Sequence, residues 1–257
     1  MATVFDAFAI GAAIGIVPLL LGFLPSFLFG EKYSWSYFSA GVALGFLFLF
    51  FTDLIDDSGS LGVSSGLNIT LDQVILATLF ILGFGLMTVY SGKLFGAKTD
   101  LLTTSPFTIA YLVALGIGMH AFGEGMIVGT SLASQIPVEE MSSIFQGLSF
   151  SLHKFLEGFT VAVFFGPKPR LRTAGICTVL ASVPYLAGIP LGLLTFPAIL
   201  SNYFFALGAG AVIFIIVQIA ERFRRDTVNY TAILGFVVGF LLVYLGTLIH
   251  YTGLAGA

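Results

Sequence analysis

The sequence predicts an all-α protein that crosses a membrane eight times, with the N- and C-termini on the extracellular side. The first observation behind this fold class is composition: 58% of the 257 residues are hydrophobic, 28 are phenylalanine and only 9% are charged. A soluble domain carries about a quarter charged residues, so this chain has too little polar surface to cover a water-soluble globule. The second observation is that the apolar residues fall into stretches of about 20 residues, the length that crosses a bilayer.

Eight such stretches, separated by glycine, proline and charged residues, are the predicted spans, and they form one transmembrane domain over residues 1–257. The start of the chain has neither the basic flank nor the small-residue cleavage site of a signal peptide, so we expect the first stretch to be a mature helix. In chain order, the predicted spans are 4–29, 35–55, 74–94, 107–129, 141–166, 173–194, 199–220 and 228–251.

The charged residues predict the orientation of these spans. Nine of the ten lysines and arginines lie in or beside the first, third, fifth and seventh connections, whereas the even-numbered connections and both termini have none. The positive-inside rule makes the basic side cytoplasmic and places both termini outside. Acidic residues gather on the outer side, where charge of one sign concentrates ions of the opposite sign. They are Asp53, Asp56, Asp57, Asp72, Glu139 and Glu140.

Two similar strings bring ionisable residues into the middle of the fourth and fifth spans. His120 to Gly125 and His153 to Gly158 both read H-x-x-x-E-G. Residues four apart lie on one helical face, and consecutive spans are antiparallel, so the His of each string is expected level with the Glu of the other. Two imidazoles and two carboxylates suit Zn(II), Fe(II) or Mn(II), whereas the absence of thiolates argues against Cu(I). The pattern predicts a binding site for one divalent cation.

The same residues also allow a purely structural cluster. Lys154 lies inside the second string, where its ammonium could pair with Glu157 three residues later while each histidine bonds a carbonyl group. Each unpaired charge at the centre of a span costs on the order of 3 kcal/mol, so some partner is required in either case. Glycines along both spans are expected to allow close helix packing, namely Gly116, Gly118, Gly123, Gly125, Gly129, Gly147 and Gly158.

The two strings, in consecutive spans of an eight-span protein, resemble the ZIP (Zrt/Irt-like) family of divalent metal transporters. The resemblance implies a transporter and not an enzyme, with uptake of Zn²⁺, or of Fe²⁺, Mn²⁺, Co²⁺ or Cd²⁺, into the cytoplasm by alternating access. It implies that the ligands are His120, Glu124, His153 and Glu157, and that the metal ion is the transported substrate. We expect the plasma membrane as its location.

The chain also departs from the pattern of that family. Some members hold a second metal ion through residues that correspond here to Ala121, Lys154 and Val183, none of which is suited to bind a cation. The resemblance therefore implies a mononuclear site in which the Lys154 ammonium takes the place of the second ion and modulates transport. Gly123 replaces the proline of the family's fourth-span signature, so the kink that this proline imposes is not expected here.

Several functions and roles stay open from the sequence. Asp53 is a candidate for the entrance of the ion route, although a solvated helix end is an equal alternative. Glu221 is a candidate for the exit, although Arg224 and Arg225, three and four residues later, offer it ion pairs and favour a structural role. An intramembrane zinc-dependent hydrolase and a metal-selective channel are the alternative functions, and the H-E-x-x-H string of many zinc hydrolases is missing. The expected partners are the lipid bilayer and the metal ion, with a homodimer left open. The net charge of -3 and the lack of a basic cluster argue against nucleic acid.

Overall fold

The computed structural model describes residues 4–29, 33–59, 71–95, 106–134, 140–166, 170–194, 199–225 and 230–255. These residues form eight helices long and apolar enough to cross a membrane, with a mean hydropathy of 1.2 to 2.2. The prediction of an all-helical chain with eight membrane-length helices is confirmed, and it indicates an integral membrane protein. Helix α1 runs from Val4–Gly11 through a π-helical turn, Ala12–Ile16, into Val17–Phe29. The others are α2 (Tyr33–Gly59), α3 (Leu71–Phe95), α4 (Pro106–Ser134), α5 (Glu140–Ala162, then a 3₁₀ turn Val163–Phe165), α6 (Leu171–Leu193), α7 (Ile199–Arg225) and α8 (Tyr230–Ala255).

Most helices extend beyond the predicted spans by several residues. Helix α2 continues to Gly59 and not to residue 55, so Asp56 and Asp57 lie on its last turns instead of in a connection. Helix α7 likewise continues to Arg225. Hydropathy detects only the apolar part of a helix, whereas the backbone hydrogen bonds continue into its charged ends.

The π-helical turn in α1 was not predicted, and Pro18 explains it. Proline has no N–H to donate to the carbonyl four residues earlier, and its ring crowds that carbonyl. In the structure, the Val17 N–H bonds the carbonyl of Ala12, five residues back. The carbonyl of Ile14, which Pro18 cannot bond, accepts a hydrogen bond from Ser151 Oγ of α5 at 3.4 Å. This hydrogen bond links the irregular turn of α1 to α5, the helix that contains His153.

Four pairs of helices run parallel and in close contact: α1 with α5, α2 with α8, α3 with α7, and α4 with α6. In the second pair, a methyl group at Gly41 would overlap the Ala232 carbonyl oxygen, and one at Gly45 would overlap that of Phe236. Glycine is what allows the two backbones to approach this closely. The members of each pair are an even number of helices apart, which agrees with the alternation of direction in an eight-span topology.

The centre of the bundle is formed by α4, α5 and α7. In these helices 67%, 56% and 61% of the apolar window is buried, against 17% in α3 and 28% in α8. The exposed side chains of α3 and α8 are mostly large and apolar, which suits contact with lipid. The two strings of ionisable residues therefore lie on the helices that are best shielded from the surroundings.

Candidate metal centre

Helices α4 and α5 cross with their two strings facing each other. His120 Nε2 lies 3.0 Å from Glu157 Oε1, and His153 Nε2 lies 3.8 Å from Glu124 Oε1. Within each string, the imidazole and the carboxylate are 3.7 Å apart on α4 and 3.2 Å apart on α5. The structure thus brings all four predicted ligands together and sets the His of each helix beside the Glu of the other, as antiparallel packing predicts.

The spacing of these four side chains fits a single divalent ion. One donor atom from each residue can be chosen so that all four lie within 4.8 Å of one another. In a tetrahedral zinc site with bonds of about 2.1 Å, two ligand atoms are roughly 3.4 Å apart, so the widest pair would have to close by about 1.4 Å. His153 Nε2 faces the same space, 3.2 Å from Glu157 Oε1 and 3.8 Å from Glu124 Oε1, so it is placed to act as a ligand.

Lys154 is part of the same cluster. Its ammonium donates hydrogen bonds to both oxygens of Glu157, at 2.9 and 2.8 Å, and to Glu124 Oε2. With neutral imidazoles, two carboxylates and one ammonium leave the cluster with one negative charge. The ion pair of the structural alternative is therefore present, but its histidine–carbonyl bonds are not seen at His120, whose Nε2 bonds Glu157 and whose Nδ1 has no partner among the described residues.

Aromatic rings from α2, α5 and α6 surround the cluster. The ring of Phe50 lies 4.5 Å from the His120 ring and 4.8 Å from the His153 ring, in both cases nearly perpendicular. The Lys154 ammonium lies 5.5 Å from the ring centres of Phe150 and Tyr185, within the range of a cation–π contact. Sequence reasoning missed these residues because a chain with 28 phenylalanines and 9 tyrosines gives no signal that distinguishes one of them.

A cavity of about 490 Å³ connects the cluster to one end of the bundle. Glu124 and His153 line it near the centre of the helices, and Asp53, Asp56 and Asp57 line it where α2 ends. We refer to this end of the bundle as the acidic end; by the predicted orientation it is extracellular. Glu124 is 12% exposed and His153 is 23% exposed, whereas His120 and Glu157 are fully buried. The cluster is thus open on the side of α2 that carries the aspartates.

The opposite side of the cluster is packed with apolar side chains, which we refer to as the apolar layer. Val113, Ile117, Val161 and Phe165 lie one to two turns beyond the ligands on α4 and α5, and none of them is exposed. Phe165 also contacts Phe23 of α1 edge to face, with 5.1 Å between ring centres. In this conformation the cavity opens the cluster toward the acidic end, while the apolar layer packs on the other side.

Asp72 and Val183 do not belong to the cluster. Asp72 accepts a hydrogen bond from the Tyr203 hydroxyl at 3.0 Å and does not line the cavity. Val183, which corresponds to a second-metal position of the ZIP pattern, is 54% exposed and so points away from the cluster. A methyl group at Gly147 would meet no atom within 4 Å, so the expected close packing there was wrong. Glu139 and the side chains of Glu140 and Glu221 lie outside the described part of the chain.

Comparison of the sequence with protein families and with curated proteins finds no match. The resemblance to ZIP transporters therefore rests on the two H-x-x-x-E-G strings and on the eight helices.

Proposed function

We propose that the protein carries divalent transition-metal cations, Zn²⁺ foremost, across the membrane into the cytoplasm. The observation that carries this proposal is the meeting of His120, Glu124, His153 and Glu157 at the centre of two buried helices, at the end of an acid-lined cavity. Ionisable groups are expensive at such a depth, and they mark ion pathways in membrane proteins. The likeness to ZIP transporters supports the same function.

The cavity supplies the first step of this route. Asp53, Asp56 and Asp57 give its opening a negative field, which raises the local concentration of cations. An ion that reaches Glu124 and His153 exchanges water molecules for a carboxylate oxygen and an imidazole nitrogen, the ligands that zinc prefers besides thiolate. Glu157 and His120 complete the coordination on the fully buried side.

Binding of the ion requires the Lys154 ammonium to leave the carboxylates. Lys154 bonds both oxygens of Glu157 and one of Glu124, so its positive charge lies where a metal ion would bind these carboxylates. With the ion bound, the displaced ammonium remains on the same helix and repels the cation. Lys154 thereby weakens binding and speeds release, which a carrier requires as much as it requires affinity.

Transport to the other side requires the apolar layer to open and the cavity to close. The four side chains of the apolar layer are buried and non-polar, so they offer a hydrated ion no polar groups and no open path. This conformation therefore favours a carrier with alternating access over an open channel. The direction of net movement follows from the predicted orientation, in which the acidic end faces outward and the basic connections face the cytoplasm.

Uptake of metal ions into sealed proteoliposomes tests the proposal. Zn²⁺, Co²⁺, Mn²⁺, Fe²⁺ and Cd²⁺ are offered separately to vesicles with the native chain and to vesicles with Glu157→Gln, which keeps the shape of the side chain but removes its charge. Asp72→Asn is the matched control, because it removes a carboxylate that does not line the cavity. We expect saturable flux in the native chain and in Asp72→Asn, and very little in Glu157→Gln.

The same assay separates the alternative functions. Equal flux in the native chain and Glu157→Gln, or no flux of any of the five ions, would contradict the proposal. Flux that rises linearly with metal concentration would indicate a channel. An intramembrane hydrolase would bind zinc without moving it, since a catalytic site holds its metal with an open position for water.

A further inference from the structure

Among the described residues, none bonds the second ring nitrogen of His120, the atom through which a metal-binding histidine is usually oriented. Such a histidine almost always donates its second ring N–H to a carboxylate, a carbonyl or a water molecule, which fixes the tautomer and the ring plane. Here Nε2 faces Glu157 at 3.0 Å, whereas Nδ1 is buried with no hydrogen-bond partner among the described residues. The groups packed around this ring constrain its orientation as well.

Phe50 of α2 supplies that packing on one side. Its ring lies 4.5 Å from the His120 ring and 4.8 Å from the His153 ring, with interplanar angles of 68° to both. Phe50 is itself held, because it stacks on Phe46 at 5.3 Å with nearly parallel planes and is only 2% exposed. A single rigid side chain thus contacts both imidazoles of the cluster.

On another side of His120, the α7 backbone at Gly208 lies in close contact with it. A methyl group at Gly208 would overlap His120 Cβ and would lie 3.0 Å from His120 Cα. These are atoms at the root of the side chain, which cannot move without the α4 backbone. Because interiors are close-packed, even one added methyl group would displace His120.

We propose that Phe50 and Gly208 are positioning residues that fix the His120 imidazole in its metal-binding orientation, a role that rests on the proposed function above. Helices α2 and α7 contribute no ligand to the cluster, yet they determine where one of its ligands points. Phe50 in addition couples the two imidazoles, because a shift of its ring moves the packing surface of both.

Titration of purified full-length protein with Co²⁺ tests the proposal, since the visible absorption of bound Co²⁺ reports the geometry of its ligands. Phe50→Leu is compared with Phe165→Leu. Phe165 is as buried as Phe50, but its ring contacts are with Phe23 and Phe27. We expect Co²⁺ affinity to fall on the order of tenfold in Phe50→Leu, with an altered spectrum, as for loss of other groups that orient metal ligands. Phe165→Leu should keep the native affinity and spectrum.

A second pair of variants tests the other side of His120. Gly208→Ala is compared with Gly210→Ala, because Gly210 is packed as tightly against the backbone of Phe80 on α3. Both substitutions disturb the packing of α7, but only the first should change the Co²⁺ spectrum.

If Phe50→Leu does not fold, Phe50→Met replaces it in the first comparison. Methionine has similar bulk but no flat face, so this variant should show the same spectral change.

The result that would overturn the proposal is a native spectrum and affinity in Phe50→Leu or Phe50→Met, or changes no larger than those of the Phe165 control. This outcome is distinct from failure of the proposed function, in which the native chain itself would bind neither Co²⁺ nor competing Zn²⁺.

Discussion

The two halves of the bundle, above and below the His/Glu cluster, differ in chemistry although the same helices form both. Toward the acidic end, α2, α4 and α5 leave a cavity lined by three aspartates, Glu124 and His153. Toward the other end, α4 and α5 close on the fully buried Val113, Ile117, Val161 and Phe165. Within the described residues, the cluster is therefore open toward the acidic end and closed toward the other, and its two carboxylates are not equivalent.

The largest expected effect follows from that inequivalence. Glu157 is fully buried and contacts His120, His153 and Lys154, whereas Glu124 is 12% exposed and faces the cavity. Water can replace a lost Glu124 oxygen, but nothing can replace that of Glu157. We expect Glu157→Gln to weaken Zn²⁺ binding about a hundredfold, or roughly 2.7 kcal/mol, and Glu124→Gln to weaken it less. Titration of both variants by isothermal calorimetry measures the difference.

A larger loss in Glu124→Gln than in Glu157→Gln would contradict the asymmetry between the two halves. Thermal unfolding without metal serves as the control, since it separates loss of a ligand from loss of the fold. Each variant leaves Lys154 with one carboxylate partner, so neither creates an unpaired buried ammonium.

Access of a thiol reagent tests the two halves directly. In a Cys177→Ser background, we expect Val128→Cys, on the cavity wall, to react with a charged methanethiosulfonate at least about tenfold faster than Ile117→Cys in the apolar layer. The protein is first labelled in detergent, where the reagent reaches both ends of the bundle. Comparable labelling rates at the two positions would show that the cluster is not closed on one side.

Labelling of the same variants in intact cells then tests the predicted orientation. If the acidic end is extracellular, an impermeant reagent should modify Val128→Cys from outside. Protection of this position in cells, together with rapid labelling in detergent, would reverse the assignment of inside and outside.

Substitution of Lys154 is expected to change Zn²⁺ affinity less than substitution of Glu157, and in the opposite direction. Because its ammonium competes with the ion for both carboxylates, Lys154→Met is expected to tighten Zn²⁺ binding about five- to tenfold, while the turnover rate falls because release is slower. Metal titration and proteoliposome flux measure the two quantities on the same preparation. Transport that is faster than in the native chain, with unchanged affinity, would count against a role in release.

Sequence reasoning reached much of this structure for identifiable reasons. The eight helices follow from hydropathy, and the meeting of the two strings follows from an i, i+4 spacing on antiparallel helices. The contact of Lys154 with Glu124 could not be foreseen, because it depends on how α4 and α5 cross. The position of Phe50 against both imidazoles could not be foreseen either, since α2 is remote in sequence from both strings. Pro18 was visible in the sequence, but the hydrogen bond from Ser151 to the Ile14 carbonyl that Pro18 cannot bond depends on the packing of another helix.

The smallest expected effect concerns the opening of the cavity. Asp53 lines it without belonging to the cluster, so it acts on the ion through the field and not through a bond. Asp53→Asn should raise KM for Zn²⁺ about two- to threefold at low salt and leave kcat unchanged, because long-range attraction affects arrival and not conversion. The difference should shrink as ionic strength rises to 0.5 M, where the Debye length falls to roughly 4 Å. Asp72→Asn, whose carboxylate lies at the same end but bonds Tyr203, should leave KM unchanged. A KM effect of Asp53→Asn that persists at high salt would indicate direct coordination, and the cavity would then bind the ion before the cluster does.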